Sequence, residues 1–283
     1  MPSLRPAADQ ISHNVRAHNK VAKTYERRHG EIYNAVEQAR LKEALERTLG
    51  LVKTGTIPKV AVDFGCGAGN LTNHLSVLGC DVLACDVSPG FLDLITSRQF
   101  ETAVTGVRLN GVDLSNLDND SVDLVAAYSV LHHVPDYLGM LFEFVRVLKP
   151  GGVLYIDHEL CAEVWAPTSE RNAFLSEVAK DLGTRWRKYL VIENYTNWLI
   201  WKFINPRYRS EGDIHVFADD HIEWDRVMEV LAAAGAEVVD DRNYLLFKRG
   251  YRPETYERFM DKTADMKALT ARKGPKPTLV GAT

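Results

Sequence analysis

The chain has 283 residues, 46% hydrophobic and 25% charged, which is an ordinary globular balance and enough chain for one large α/β domain with an elaboration. A formal net charge of −4 gives no global field for nucleic acid or an anionic membrane, no run is long and apolar enough to span a bilayer, and Met1–Gln10 shows no signal-peptide pattern. The four cysteines, Cys66, Cys80, Cys85 and Cys161, form no Cys-x-x-Cys pair and read as reduced core thiols of a cytoplasmic protein rather than as disulfides or zinc ligands.

Residues 1–10 are expected to be disordered and 11–30 to form a charge-rich helix. A second helix is expected over Tyr33–Leu51, where Val36, Ala39, Leu41, Leu45 and Leu49 make an apolar stripe. Gly50, Gly55 and Pro58 end this region. Val60–Phe64 then reads as a buried strand, followed by the alternating Gly65, Gly67 and Gly69 and a helix face marked by Leu71, Leu75 and Leu78. Strand, glycine turn and helix together let backbone N–H groups and a helix N-terminus approach a ligand. Alone the pattern is weak. It gains weight because a second strand, Asp81–Asp86, ends in a carboxylate about 20 residues on.

Ser88-Pro89 supplies an N-cap and N1 proline for a helix continued by Phe91, Leu92 and Ile95. Residues 103–112 hold a third strand, followed by Asp113, and Asp118-Asn119-Asp120-Ser121 is a turn cluster. Val122–Tyr128 is the fourth strand. Pro135-Asp136 opens a helix whose core face is Leu138, Leu141, Phe142, Val145 and Leu148, and Gly151–Ile156 is the fifth strand, leaving Asp157-His158-Glu159 at its C-terminal end.

Residues 160–218 break the alternation and hold Trp165, Trp186, Trp198 and Trp201 with Tyr189, Tyr195, Phe203 and Tyr208. An aromatic insertion at this point is placed to roof a cleft at the strand ends, or else forms a satellite core. Asp220-x-x-Glu223 resembles a capping box for a helix Ile222–Ala234 that Gly235 stops. Glu237–Val239 and Tyr244–Phe247, with Asp240-Asp241-Arg242-Asn243 between them, read as a closing hairpin. Residues 253–271 read as a terminal helix, and Lys273–Thr283 as a loose tail. There is no internal repeat.

Val62-Asp63-Phe64-Gly65-Cys66-Gly67-Ala68-Gly69 resembles the first motif of class I S-adenosylmethionine (SAM)-dependent methyltransferases of the small-molecule, type 11-like kind. Asp113-Leu114, the segment Val122–His133 and Leu148-Lys149-Pro150-Gly151-Gly152 agree in order and spacing over residues 59–159. The resemblance implies an α/β, Rossmann-like doubly wound sheet with helices on both faces and the last strand antiparallel. It is divided here into an N-terminal helical cap (1–58), a core (59–159 and 219–250), a lid (160–218) and a C-terminal helix and tail (251–283).

It also implies roles. Gly65, Gly67 and Gly69 would bring backbone to the methionine part of SAM, and Asp63 would orient that turn or accept the ammonium through water, unless it is only a charge at a strand end. Asp86 would accept both ribose hydroxyls, with Val87 along the adenine edge. Asp113 would accept from the adenine amine with Leu114 on the ring, or is a plain turn aspartate. Tyr25 would close over the cofactor or serve as packing. Tyr128 and Ser129 would lie beside the sulfonium.

A proton acceptor is sought among His158, the first choice, and His132 and His133, with His215 and His221 weaker. Asp157, His158 and Glu159 alternate across a strand and cannot close on one ion, so no required metal is expected. The fourth strand lacks the Asn/Asp-Pro-Pro-aromatic exit of amino-group methylases, which speaks against DNA, RNA bases and glutamine. A small-molecule hydroxyl or carboxyl acceptor remains: a sugar, polyketide, lipid-like or other secondary metabolite. The alternatives are a SAM-fold cyclase or aminopropyl transferase, or a noncatalytic SAM-binding protein.

Overall fold

The computed structural model describes residues 7–21, 25–181 and 212–275. The N-terminal part holds α1 (Ala7–Val21), the single turn α2 (Tyr25–Arg28) and α3 (Ala35–Leu51). The alternating core follows as β1 (Val60–Phe64), α4 (Asn70–Val77), β2 (Asp81–Asp86), α5 (Pro89–Thr96), β3 (Val104–Arg108), β4 (Val122–Tyr128), α6 (Tyr137–Val147) and β5 (Leu148–Leu160). After α7 (Ser169–Asp181) come the short pair β6 (Val216–Phe217) and β7 (Asp220–His221), then α8 (Trp224–Ala233), β8 (Ala236–Tyr244), α9 (Pro253–Phe259) and β9 (Met266–Lys273).

The seven-stranded sheet runs β3-β2-β1-β4-β5-β9-β8. All pairs from β3 to β5 are parallel, and β9 lies antiparallel between β5 and β8. Strand order reverses between β1 and β4, so a crevice opens at their carboxyl ends, where α/β sheets bind ligands. Alternation along β1 splits the core across the sheet. Val62 and Phe64 pack with Phe144 of α6 and Leu231 of α8, whereas Ala61 packs with Leu41 and Leu45 of α3 and Leu75 of α4. Every residue of β4 is buried, as expected for a central parallel strand covered on both faces.

Several expectations need correction. Helix α1 begins at Ala7, inside the stretch read as disordered. Residues 237–247 do not fold back as a hairpin: β8 runs unbroken through Asp240–Asn243, and its partner is β9, which begins within the stretch 253–271 read as a terminal helix, a stretch that is helical over Pro253–Phe259. Met266–Lys273 is thus a strand of the central sheet. The capping box also fails, because Glu223 is the N-cap without a side-chain capping bond and Asp220 lies in β7. Most of the aromatic insertion, including Trp186, Trp198, Trp201, Tyr189, Tyr195, Phe203 and Tyr208, lies outside the described residues. In its described part, Phe174 and Val178 of α7 join Leu245, Tyr256 and Phe259 in a satellite cluster, the alternative to a roof.

The cap is tied to the sheet by a buried charge. Asp157 of β5 is fully buried and accepts from Arg40 Nη2 (3.0 Å), the Tyr155 hydroxyl (2.5 Å) and the Tyr244 hydroxyl (2.9 Å). Arg40 in turn donates to Glu37 (2.8 Å) and stacks on the Tyr244 ring. Removing the cation from such a pair strands a buried carboxylate. Arg40→Met is expected to lower the unfolding free energy by about 3 kcal/mol in urea titrations; an unchanged midpoint would show that the tyrosines alone suffice to hold Asp157.

Candidate cofactor and acceptor site

The crevice is a cleft with about 1030 Å³ of free space, counting its open mouth. Its floor is the turn after β1. Gly65 and Gly69 have φ of 70° and 85°, a region that costs glycine little and other residues more. Packing also demands glycine at both: an added Cβ would fall 2.3 Å from Val130 Cγ2 at Gly65 and 2.6 Å from Ile95 Cδ1 at Gly69. At Gly67 a Cβ would meet nothing nearer than the Gly65 carbonyl oxygen at 3.9 Å, so the space beside that backbone is open. Gly65 and Gly67 line the cleft; Gly69 lies behind it, shaping the turn as the N-cap of α4.

Two carboxylates stand at this turn. Asp86, at the end of β2, accepts from Gly67 N–H (3.0 Å) and Ser88 N–H (2.7 Å), which clamps the glycine turn to the neighbouring strand. Asp63 accepts a 2.5 Å bond from the Thr72 hydroxyl. Burial pushes the Asp63 carboxyl up to about 7, opposed by the Thr72 bonds and assisted by the Asp86 charge. Burial likewise pushes Asp86 up to about 6 against its two backbone donors. Both face the cleft, so the pocket floor is short of positive charge.

Val87 and Asp113 line the cleft, with Phe91, Leu109 and Met140 forming further apolar wall. Asp113 is held by Asn110 Nδ2 (2.7 Å) and by the Ser115 N–H (3.0 Å) and hydroxyl (2.7 Å), bonds that pull its pKa down. Leu114 is corrected: it is fully buried in the core, its N–H donates to Glu143 (2.9 Å), and it does not line the cleft. Tyr25 reaches the cleft and packs edge-on against Phe91. The cap contributes lining that local sequence did not reveal: Ile11, Asn14 and His18 of α1. Asn14 Nδ2 donates to the His133 carbonyl (3.0 Å), and Asn19 Oδ1 accepts from the Ser88 hydroxyl (2.6 Å) and Gly90 N–H (3.0 Å).

The opposite wall is the exit of β4. Tyr128, Ser129, Val130 and His133 line the cleft, and Ser129 is held at φ 56°. The histidines separate. His133 faces the cleft, and burial with His132 beside it pushes its pKa down to about 4. His132 does not line the cleft; its Nδ1 is bonded to Glu159 (2.7 Å). His158, the first choice from sequence, is a correction too. It is buried behind Tyr128, shares a 3.0 Å hydrogen bond with the Tyr128 hydroxyl, and touches the cleft only through that ring. Burial pushes its pKa down to about 4. His215 and His221 lie on the β6–β7 side, where His215 bonds Asp220 (2.6 Å) and His221 packs on Trp165. Burial raises the pKa of each of the four cysteine thiols, and all four are free.

Residues 62–156 match a family model described as a methyltransferase domain. The ubiquinone biosynthesis O-methyltransferase of Xanthomonas campestris pv. campestris (strain B100) is 34% identical over 97 residues, which is 34% of this chain and 41% of that relative. Its namesake from Methylococcus capsulatus is 31% identical over 104 residues, 36% of this chain and 44% of that one. The chain thus spans under half the length of the curated relatives it matches. Among solved structures, a SAM-dependent methyltransferase from Mesorhizobium loti shares the fold with a TM-score of 0.54 at 19% identity, over 82% of this chain and 96% of that one. The [4+2]-cyclase SpnF does so with 0.51 at 17%, over 83% and 80%. Residues 62–156 thus carry the sequence pattern of a methyltransferase domain, on the fold that these solved structures share. No helix among the described residues is long and apolar enough to cross a membrane.

The buried carboxyl of Asp63 has a measurable consequence. Its folded pKa of about 7 lies above the ordinary 3.8, so its contribution is fully present below the unfolded value and is lost as pH rises through the folded one. The ligand-free protein is expected to lose stability from pH 4 to pH 7 through this group, and Asp63→Asn to flatten that slope in urea titrations across the range. An identical slope in the variant would mean that Asp63 ionises freely in the fold.

Proposed function

We propose that this protein is a SAM-dependent methyltransferase acting on an oxygen of a small-molecule acceptor, a hydroxyl or carboxyl group. The observation that carries the reading is the convergence in one cleft of the open backbone at Gly67, the Asp86 carboxylate and the β4 exit with His133. Bound SAM would supply a methyl already activated on a sulfonium, so alignment and proton removal are what remain for the protein. Asp86 keeps lone pairs beyond its two backbone donors and would accept the ribose hydroxyls. Asp63 would favour the cofactor's cationic end. Val87, Phe91, Leu109 and Met140 would enclose the base, with Asp113 at the amine edge.

On the acceptor side, His133 is neutral near pH 7 and reaches the cleft, so it replaces His158 as the candidate proton acceptor. His158 would orient the Tyr128 hydroxyl, and Tyr128 and Ser129 would flank the methyl. The ubiquinone-type O-methyltransferase relatives favour oxygen as the acceptor atom. Nucleic acid is disfavoured by the net charge of −4. We place the protein in the cytoplasm on its free, buried cysteines.

The test is titration with SAM and S-adenosylhomocysteine, followed by an assay for S-adenosylhomocysteine release with candidate hydroxyl and carboxyl acceptors. Asp86→Ala is expected to weaken SAM binding roughly tenfold to a hundredfold, the loss of charge-assisted hydrogen bonds. In the wild type, affinity should fall as pH drops through about 6, where Asp86 takes up a proton. Unchanged affinity in Asp86→Ala would remove that carboxylate from the site. SAM binding without S-adenosylhomocysteine release on any acceptor would favour the cyclase alternative.

A further inference from the structure

We infer that His132, His133 and Asp213 form a divalent transition-metal site at the acceptor end of the cleft. Their donor atoms lie within 4.8 Å of one another, a set drawn from the turn after β4 and from the chain just before β6. His133 Nδ1 stands 3.5 Å from Asp213 Oδ1 and His132 Nε2 stands 3.9 Å from the same oxygen. A tetrahedral ion with bonds of about 2.0–2.1 Å separates its ligands by about 3.3 Å. The first pair is therefore close to that spacing, and the second closes by about half an ångström.

Two independent features mark the cluster as more than a chance grouping. His132 Nδ1 is bonded to the buried Glu159 (2.7 Å), and Glu159 Oε1 is already filled by the Val130 and Leu131 N–H groups. A carboxylate that takes the proton of one imidazole nitrogen fixes the tautomer in which the other nitrogen binds metal, and raises its basicity. In addition, His133 Nδ1 is buried and makes no hydrogen bond, an unsatisfied group inside the fold that a metal ion would satisfy. Two imidazoles and one carboxylate suit zinc, cobalt, nickel or manganese rather than magnesium or calcium, which prefer all-oxygen shells. Three protein ligands leave a position open for water or substrate.

Because His133 lines the cleft, the open position falls beside the methyl-acceptor space. The consequence for substrate choice rests on the methyltransferase reading. With Nδ1 on the ion, His133 carries its hydrogen on Nε2 and no longer accepts a proton, so the ion takes over its part: a hydroxyl oxygen of the acceptor bound there would release its proton to solvent more readily. That oxygen would then form the new O–CH3 bond while the S–CH3 bond breaks and its electron pair stays on sulfur, with no oxidant or reductant needed. The favoured acceptors are those that offer a second oxygen for chelation, a vicinal diol or hydroxy-carbonyl group.

The test uses the full-length protein treated with chelator, dialysed and titrated with Co2+ alone. One ion per chain is expected, with the visible absorption of a four- or five-coordinate site. His133→Ala and Asp213→Asn should each weaken binding at least tenfold. Circular dichroism and SAM titration of the same samples report whether each variant folds and whether the cofactor cleft is intact. Absent visible bands in the wild type, or Co2+ affinity unchanged in both folded variants, would overturn the site. Co2+ binding in a protein that does not bind SAM would leave the ion site standing and remove its role in methyl transfer.

Discussion

The cleft depends on how β4 leaves the sheet. At Val130 and Leu131 the chain turns away while still packed in the protein, and their N–H groups need an acceptor that no strand can offer. Glu159 supplies it, taking both donors on one oxygen at 2.9 and 2.7 Å and His132 on the other. A buried carboxylate is tolerable because donors fill it. The bonds hold Val130 where its Cγ2 presses on the backbone of Gly65, so the glycine turn and the β4 exit pack into each other. One side chain on β5 thereby sets the spacing between the cofactor floor and the acceptor wall.

That wall stores a modest local strain. Ser129 at φ 56° and His158 at φ 62° sit at adjacent strand ends, and neither is glycine. The pairing of β5 with β9 shifts register between Ile156 and Glu159, which releases Asp157 and His158 from the ladder with β9 while Asp157 stays paired with Tyr128 of β4. Asp157 then turns to Arg40 and the tyrosines, and His158 stacks under Tyr128. Asp157, His158 and Glu159, which the sequence leaves at the end of the fifth strand, are the scaffold of the cleft. Each holds something else in position, and none of the three lines the cleft itself.

What was legible and what was not follows from whether a signal is local. β1, β2 and β4 are short apolar runs bounded by turns, the mark of buried parallel strands. That the glycine turn and Asp86 meet is legible because their spacing is fixed by a single βαβ unit. β9 is not legible because Met266-Lys267-Ala268-Leu269 has helix-forming residues, and pairing on both edges overrides that preference. β8 reads as two strands because Asp240–Asn243 looks like a turn, whereas a polar edge strand with exposed residues has the same composition. Leu114 was misplaced because Asp113 and Leu114 face opposite ways, one to the cleft and one to the core. Glu159 and Asp213 could not be found from spacing, since their partners are brought to them only by the tertiary fold.

The roof is secured differently from the floor. Among the described residues no side chain of α1 joins any of the apolar clusters, whereas α3 contributes Leu41, Ala44 and Leu45 to the core. α1 is held by polar contacts, Gln10 to the Gly212 carbonyl, Asn14 to the His133 carbonyl and Asn19 to the start of α5, and by the His18 ring against Phe91 and His133 and Ile11 against Gly111. Each such bond exchanges with water at a net cost of about 1 kcal/mol, far below that of exposing a core leucine. The glycine turn, clamped by Asp86 and wedged by Val130, is therefore the fixed side of the cleft. α1 is the side that shares no apolar cluster with the sheet among the described residues, and Asn14 and Asn19 tie it to the β4 exit and to the turn that follows Asp86.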